Sequence, residues 1–372
     1  MAFPCPSGCG KVSWSLLGNG PVPPSIPLFD GHNDTLLRLA TSCRDPVAAF
    51  RQCDGEGQLD LALAAAGCCA GGLFACFVPP EGERDAGFSL TKDGYEVAMP
   101  EPPGLEDARK QTDAMIACAQ RLAAELPERV MLCRTVADIR QCLAGSTLAL
   151  VLHLEGAEVI RDDLDGLETY HRQGVRSIGP VWSRRNSFGT GAPFRFPGSP
   201  NTGPGLTKAG FALVQACDEM GVMLDVSHLN AAGFWDVART SRAPLVATHS
   251  NVHAVCPVPR NLMENQLRAI RDSGGLVGVS LSVSELRPDG HNSPATPLSD
   301  VLRHLDHLLE VLGPDGVAIG SDFDGALVPQ QIGNAGGLQA LVAAMADHGY
   351  EDALLRKICH GNWMRVLERC WH

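Results

Sequence analysis

Eight short apolar runs, each closing on small or polar residues, constrain this chain more than any other feature. They span Ile26–Asp34, Gly67–Pro79, Leu148–Ala157, Val175–Trp182, Gly221–His228, Pro244–Ser250, Gly275–Ser282 and Gly316–Gly325. Near-continuous apolar character over such lengths describes strands buried on both faces, as in a parallel sheet. Amphipathic stretches lie between them. Leu213, Val214, Cys217 and Met220 repeat at helical spacing until Gly221 stops that helix. Ser299 is placed to cap another, whose stripe runs Val301, Leu302, Leu305, Leu308, Leu309 and Leu312 before Gly313. His304 and His307 on it read as a solvated flank. Strands alternating with helices predict an α/β fold, a (β/α)8 TIM barrel with long βα-loop insertions rather than an open doubly wound sheet.

The chain has 372 residues, 45% of them hydrophobic and 19% charged, which suffices for one large core. Residues 1–25 read as a poorly ordered tail and 26–372 as a single barrel domain. Two insertions, Pro79–Pro103 and Ser183–Gly205, are too small for domains and read as lids or linkers. In the tail, Cys5 and Cys9 have no second pair to complete a metal knuckle. Gly8–Val12 imitates the end of a phosphate loop but lacks its upstream Gly and its Ser or Thr.

A formal net charge of −12 argues against a nucleic-acid or anionic-membrane partner. No apolar run reaches the ~18 residues of a bilayer span, and Met1–Gly20 does not read as a secretory leader. The 14 cysteines are scattered, several inside apolar stretches (Cys68, Cys69, Cys76, Cys217), as suits a reducing compartment. The expected location is cytoplasmic.

Chemistry in a barrel collects where strands end. The first run ends in His32-Asn33-Asp34, with His32 and Asp34 on one side by alternation. The third ends in Glu155, the fifth in His228, the sixth in His249 and the eighth in Asp322. Three imidazoles and three carboxylates at one mouth are costly without metal and form a sensible donor set with it. Blander readings hold for their neighbours: His153 packs inside the barrel, Asp324 shapes a turn with Gly325, and His253 and His291 are solvated loop residues. Six donors exceed one tetrahedral shell, so two metals are expected, and two metals want a bridge. None of the five lysines (Lys11, Lys92, Lys110, Lys208, Lys357) ends a run, which leaves Glu155 to give one oxygen to each metal.

The motifs Asp30-Gly31-His32-Asn33-Asp34, Glu155-Gly156, Asp225-Val226-Ser227-His228, Thr248-His249-Ser250, Arg260-Asn261 and Gly320-Ser321-Asp322-Phe323-Asp324-Gly325 stand in an order that resembles the membrane (renal) dipeptidase family. These are binuclear zinc peptidases of the amidohydrolase superfamily, and the resemblance runs from about Pro27 to Leu367. It implies His32, Asp34, Glu155 and Asp322 around one Zn2+ and Glu155, His228 and His249 around the other. It also implies that Arg260 grips the substrate carboxylate, with Asn261 beside it. The chain departs from the family at Trp182, where a histidine is expected near the substrate oxygen, and at Ser280–Ser284, where an aromatic stretch is expected.

The expected function is a zinc-dependent dipeptidase acting on small dipeptides, L-Xaa-D-Xaa included, through a hydroxide bridging two Zn2+ or other divalent ions. Asp322 serves as ligand and base, Glu155 as the catalytic bridge, and Arg260, Trp182 and Asn261 contact substrate. A homodimer is compatible with this reading. Trp182 motivates an alternative, an amidohydrolase acting on an N-acyl amino acid or a lactam. A non-catalytic barrel is the third reading, and the complete donor set argues against it.

Overall fold

The computed structural model describes residues 25–51, 55–80 and 87–371; the tail, with Cys5 and Cys9, lies outside the described residues. Each of the eight runs contains a strand, here β1 (Leu28–Asn33), β2 (Cys69–Phe77), β3 (Leu148–Glu155), β4 (Val175–Gly179), β5 (Met223–Leu224), β6 (Val246–Ala247), β7 (Leu276–Ser280) and β8 (Val317–Gly320). Strands β1 to β5 pair in chain order, as do β6 to β8, and all these pairs are parallel. Parallel bridges between Asp225 and Val246 and between Asn33 and Phe323 join the two sheets at both edges. The result is a closed parallel barrel. A further short strand, Val130–Leu132, pairs with the start of β3.

Alternation along β3 shows how the sequence LALVLHLE is used. Leu150, Leu152 and Leu154 pack outward in the large cluster between sheet and helices. Ala149 and Val151 turn inward to the second cluster, in the barrel's lower interior. The same period of two carries His153 and Glu155 inward, nearer the C-terminal mouth.

The opposite end is plugged by the helix Asn362–Cys370. Trp363 is fully buried, and its Nε1 donates to Ile319 O at 3.1 Å. Glycine in β1 makes room for it: a Cβ at Gly31 would stand 2.3 Å from the Trp363 ring.

The insertions do not act separately. Phe88–Leu90 and Tyr95–Val97 from the first pair antiparallel, and Arg195–Phe196 from the second adds a third strand. This flap rests on the loop after β6, where Gly198 N donates to Pro257 O at 2.7 Å.

Helix Lys208–Met220 ends at Gly221 as expected, with Gly221 in the left-handed region at φ 65°. Two local expectations fail. Helix Leu298–Leu312 starts after Pro297, so Ser299 falls in its first turn and caps nothing; proline's fixed φ already suits that entry. His304 is fully buried rather than solvated. Its Nδ1 accepts from Val252 N at 3.0 Å and its Nε2 donates to Leu286 O at 2.9 Å, tying this helix to the loops after β6 and β7.

Truncating the plug should be expensive. Trp363→Ala is expected to cost about 3–5 kcal/mol, in line with large-to-small core changes. Urea unfolding checks this, and a midpoint shift within error would mean that the ring does not fill the barrel.

Candidate metal centre

Two buried carboxylates frame the mouth before any candidate ligand is considered. Asp30 in β1 accepts Ser321 N at 2.6 Å and Ser321 Oγ at 2.7 Å, binding the end of β8 to β1. Asp225 does the same for β5 and β6. It accepts Ser227 Oγ at 2.6 Å, Thr248 N at 2.9 Å and Thr248 Oγ1 at 2.6 Å. The strands that carry His32, His228, His249 and Asp322 are thereby held in register at the mouth.

Glu155 stands between the donors. Its Oε1 lies 2.7 Å from His228 Nε2 and 3.6 Å from His249 Nε2. Its Oε2 faces the other way, 3.6 Å from His32 Nε2, and His32 Nε2 is 3.8 Å from Asp34 Oδ2. Among the described residues, ligand atoms of His32, Asp34 and Glu155 lie within 4.8 Å of one another, as do those of Glu155, His228 and His249 and those of His32, His249 and Asp322. The six strand-end residues therefore meet at one place. Asp322 holds a left-handed φ of 62°, an unusual backbone state for a non-glycine residue.

The imidazoles are pre-aimed. Thr248 Oγ1 spends its hydrogen on Asp225, so it accepts from His249 Nδ1 at 2.8 Å, which leaves the His249 Nε2 lone pair facing the cluster. Ser183 Oγ holds His228 Nδ1 at 2.9 Å. Burial, then Arg260, presses His228 down to about 4; burial, then His32 and Arg260, holds His249 well below the usual imidazole range. Both rings are thus neutral, as ligands must be.

The acids are in conflict with one another. Burial raises Asp34 well above the usual carboxylate range, and the charge of Glu155 adds to it. Burial also opposes the charge on Glu155, yet His32 and His228 hold it well below its usual range. Burial would deprotonate His32, but Glu155, Asp34 and Asp322 push it up to about 10. His32 Nδ1, His32 Nε2 and Asp34 Oδ1 are buried with no hydrogen-bond partner among the described residues, and each such orphan costs about 1–3 kcal/mol. The acids hold a proton on His32 that a divalent cation would displace, and nitrogen and hard oxygen donors gathered around one point fit cations of the zinc type.

The family described as membrane dipeptidase (peptidase family M19) matches residues 21–370. The chain belongs to the membrane dipeptidase family. It is a metallo-dipeptidase of that family and carries a candidate His/Asp/Glu metal cluster. It is 49% identical to dipeptidase AC, a metallopeptidase of family M19 whose structure it matches with a TM-score of 0.90, covering 93% of this chain and 99% of that one. A metallopeptidase from Rhodobacter sphaeroides, liganded with a phosphinate mimic of the dipeptide L-Ala-D-Ala, is 48% identical, with a TM-score of 0.91 over 93% of this chain and all of that one. Dipeptidase aclJ of Aspergillus oryzae is 26% identical over 92% of this chain and 78% of its own length.

The remaining expected residues of this dipeptidase fall in different places. Arg260 is buried beside the cluster; its Nη1 donates to Ser227 O and its Nη2 to His249 O at 3.3 Å. Trp182 is half-buried, its ring 5.9 Å from that of His228 and 4.9 Å from that of Phe77. Phe77 pairs directly with Glu155 across β2 and β3, so it shares that inward row. Asn261 spends its Nδ2 on Cys256 O and Glu285 O, both at 2.9 Å. Asp324, also at a left-handed φ, accepts Thr35 Oγ1 at 2.8 Å and Gln58 N at 2.7 Å and pairs with Arg38 at 3.1 Å, so beyond its turn it ties the end of β8 to the segment after β1. His153 is buried inside the barrel with Nδ1 2.9 Å from Ser177 Oγ. His291 is exposed as expected, whereas His253 is half-buried with Nε2 on Gly198 O at 2.7 Å.

Sequence reading missed Ser183 and Glu285. Ser183 follows Trp182 and carried no motif; Glu285 lies in a four-residue helix, Val283–Leu286, beyond the end of β7. Partners that aim a metal-ligating imidazole are typically worth 10- to 100-fold in metal affinity or activity. Ser183→Ala is therefore expected to weaken metal retention by about that factor in a chelator competition. Unchanged retention would show that His228 is oriented by something other than this hydroxyl.

Proposed function

We propose that the chain hydrolyses small dipeptides with a free carboxylate, using two zinc ions. His32, Asp34, Glu155 and Asp322 would hold one and Glu155, His228 and His249 the other. The observation that carries this reading is the placing of Glu155, one oxygen of which lies nearest His228 and the other near His32 within a single six-donor cluster. When bound, two divalent cations supply Lewis acidity towards the peptide carbonyl and acidify water at the site.

The chain's own groups then have distinct tasks. Asp322 moves the proton from the attacking water to the leaving amine. Burial, against the pull of His32 and helped by the charges of Glu285 and Glu155, pushes its carboxyl up to about 7, and its place among the donors would set it beside the attacking water. Arg260 reads the free carboxylate. Its Nη atoms are anchored on carbonyls next to and at two candidate ligands, so a carboxylate bound there is placed relative to the reacting centre. Asn261, with its nitrogen spent on backbone, acts by holding the Arg260 loop against the helix that bears Glu285. Trp182, Phe77 and Phe194 line the strand β2–β4 side with aromatic surface suited to a small apolar side chain. The L-Ala-D-Ala mimic in the Rhodobacter sphaeroides relative supports substrates of that size and of L-Xaa-D-Xaa type.

No described helix is long and apolar enough to cross a membrane. The described cysteines are all free, which supports a reducing, cytoplasmic setting.

Asp322→Asn should fold and keep much of its metal while turnover falls by roughly 10²–10⁴-fold, the usual share of a general acid–base group. Near-normal turnover with zinc-loaded protein would move the proton transfer elsewhere.

Substrate recognition is tested on the carboxylate itself. Dipeptides should be cleaved well and their C-terminal amides poorly. Arg260→Lys keeps charge but loses the planar fork, and should lower kcat/KM by about 1.5–3 kcal/mol of transition-state binding. Equal rates for a dipeptide and its amide would remove Arg260 from recognition and favour a broader amidohydrolase.

A further inference from the structure

Arg260 and Glu285 face each other across a gap that neither closes. Arg260 Nε stands 3.6 Å from Glu285 Oε1, beyond hydrogen-bond reach. Among the described residues, neither Arg260 Nε nor Glu285 Oε2 has a hydrogen-bond partner. The two residues are only 3% and 5% exposed, so bulk water does not serve these atoms, and each orphan is costly.

Both groups are held where they stand. The Nη atoms of Arg260 are engaged on Ser227 O and His249 O. Glu285 is held at both levels: its carbonyl accepts Asn261 Nδ2 at 2.9 Å, its N–H donates to Ser282 O at 3.0 Å, and its carboxylate accepts from the Ser280 hydroxyl, which leaves Oε2 as its open oxygen. An open donor and an open carboxylate oxygen, side by side and immobile, are complementary to a ligand bearing the opposite pair. Such a ligand presents an anion to the guanidinium and a cation to the acid.

The charge balance points the same way. Arg260 and Glu285 balance as a pair, so a substrate carboxylate that engages Arg260 leaves that pair with one excess negative charge, beside a centre whose Glu155 and Asp322 also face Glu285. A positive side chain on the same residue cancels it, whereas an acidic one adds a third carboxylate beside a single guanidinium.

We infer that Glu285 determines specificity: it receives a cationic side chain on the residue whose free carboxylate Arg260 reads. Preferred substrates are then dipeptides whose C-terminal residue is basic. Glu285 lies directly against Arg260, so the group that reaches it belongs to that residue rather than to the N-terminal one. This rests on the proposed role of Arg260.

The test is kcat/KM of zinc-loaded enzyme for L-alanyl-lysine, L-alanyl-leucine and L-alanyl-glutamate, with the second residue in each configuration. The lysine peptide should exceed the glutamate peptide by at least about tenfold, mostly through KM, as one charge-assisted contact predicts. Glu285→Gln, isosteric but uncharged, should bring that ratio to within about twofold, while Glu285→Asp keeps its direction. A ratio near one in the unaltered enzyme overturns the inference, with no variant needed. So does a tenfold ratio that survives in folded, metal-loaded Glu285→Gln. The C-terminal amide of L-alanyl-lysine separates the two readings. If the amide is cleaved as fast as the acid, the role of Arg260 falls and this inference with it. If the acid is required but the lysine-to-glutamate ratio is near one, only the inference about Glu285 falls.

Discussion

A carboxylate taken out of water must find positive charge or hydrogen-bond donors, and at Glu155 each oxygen finds a different imidazole. One oxygen lies 2.7 Å from His228 and the other 3.6 Å from His32. Asp34 stands by His32 and His249 by His228, while Asp322 meets both His32 and His249. The side chain reaches this position because β3 alternates strictly, with leucines outward and Ala149, Val151, His153 and Glu155 inward. A one-residue slip in that strand would exchange the two faces and place the acid among the helices.

The surrounding frame keeps the two sides at fixed spacing. Asp30 and Asp225 are buried acids spent on scaffolding, each accepting from a hydroxyl and a backbone N–H on the neighbouring strand. They close seams where regular strand pairing is thin, between β8 and β1 and between β5 and β6, which are otherwise joined by single bridges. At the other end, Trp363 occupies the interior that glycine at position 31 leaves open. The site is therefore carried by packed strands, and loops contribute Arg260, Trp182 and the flap.

What was legible in the sequence follows from this division. Strands buried on both faces leave apolar runs that are hard to mistake, and a donor at the end of such a run can only point into the mouth. That logic located His32, Asp34, Glu155, His228, His249 and Asp322, which the structure brings together. Features that depend on side-chain encounters between distant loops left no such trace. His304 looked like a flank residue because its helix stripe says nothing of the two loops it bridges. Ser299 looked like a cap because the proline entry two residues earlier also suits a helix start. Glu285 and Ser183 are single polar residues whose meaning comes from what stands opposite them. The flap joins two insertions separated by a whole strand–helix unit, and neither has enough apolar alternation to announce a strand.

The seam between the first and last strands has a consequence for how the enzyme comes into being. Asp30 and Ser321 are 291 positions apart, and their union brings His32 and Asp34 to Asp322. During synthesis the early half of the barrel emerges with its imidazole and acids exposed and without their partners. Hydrolytic competence therefore arrives in one late event, after the chain has passed residue 322 and the cylinder has closed. A ribosome-bound fragment has no assembled centre with which to attack other peptides, and the contact that closes the seam is also a slow, entropically costly one.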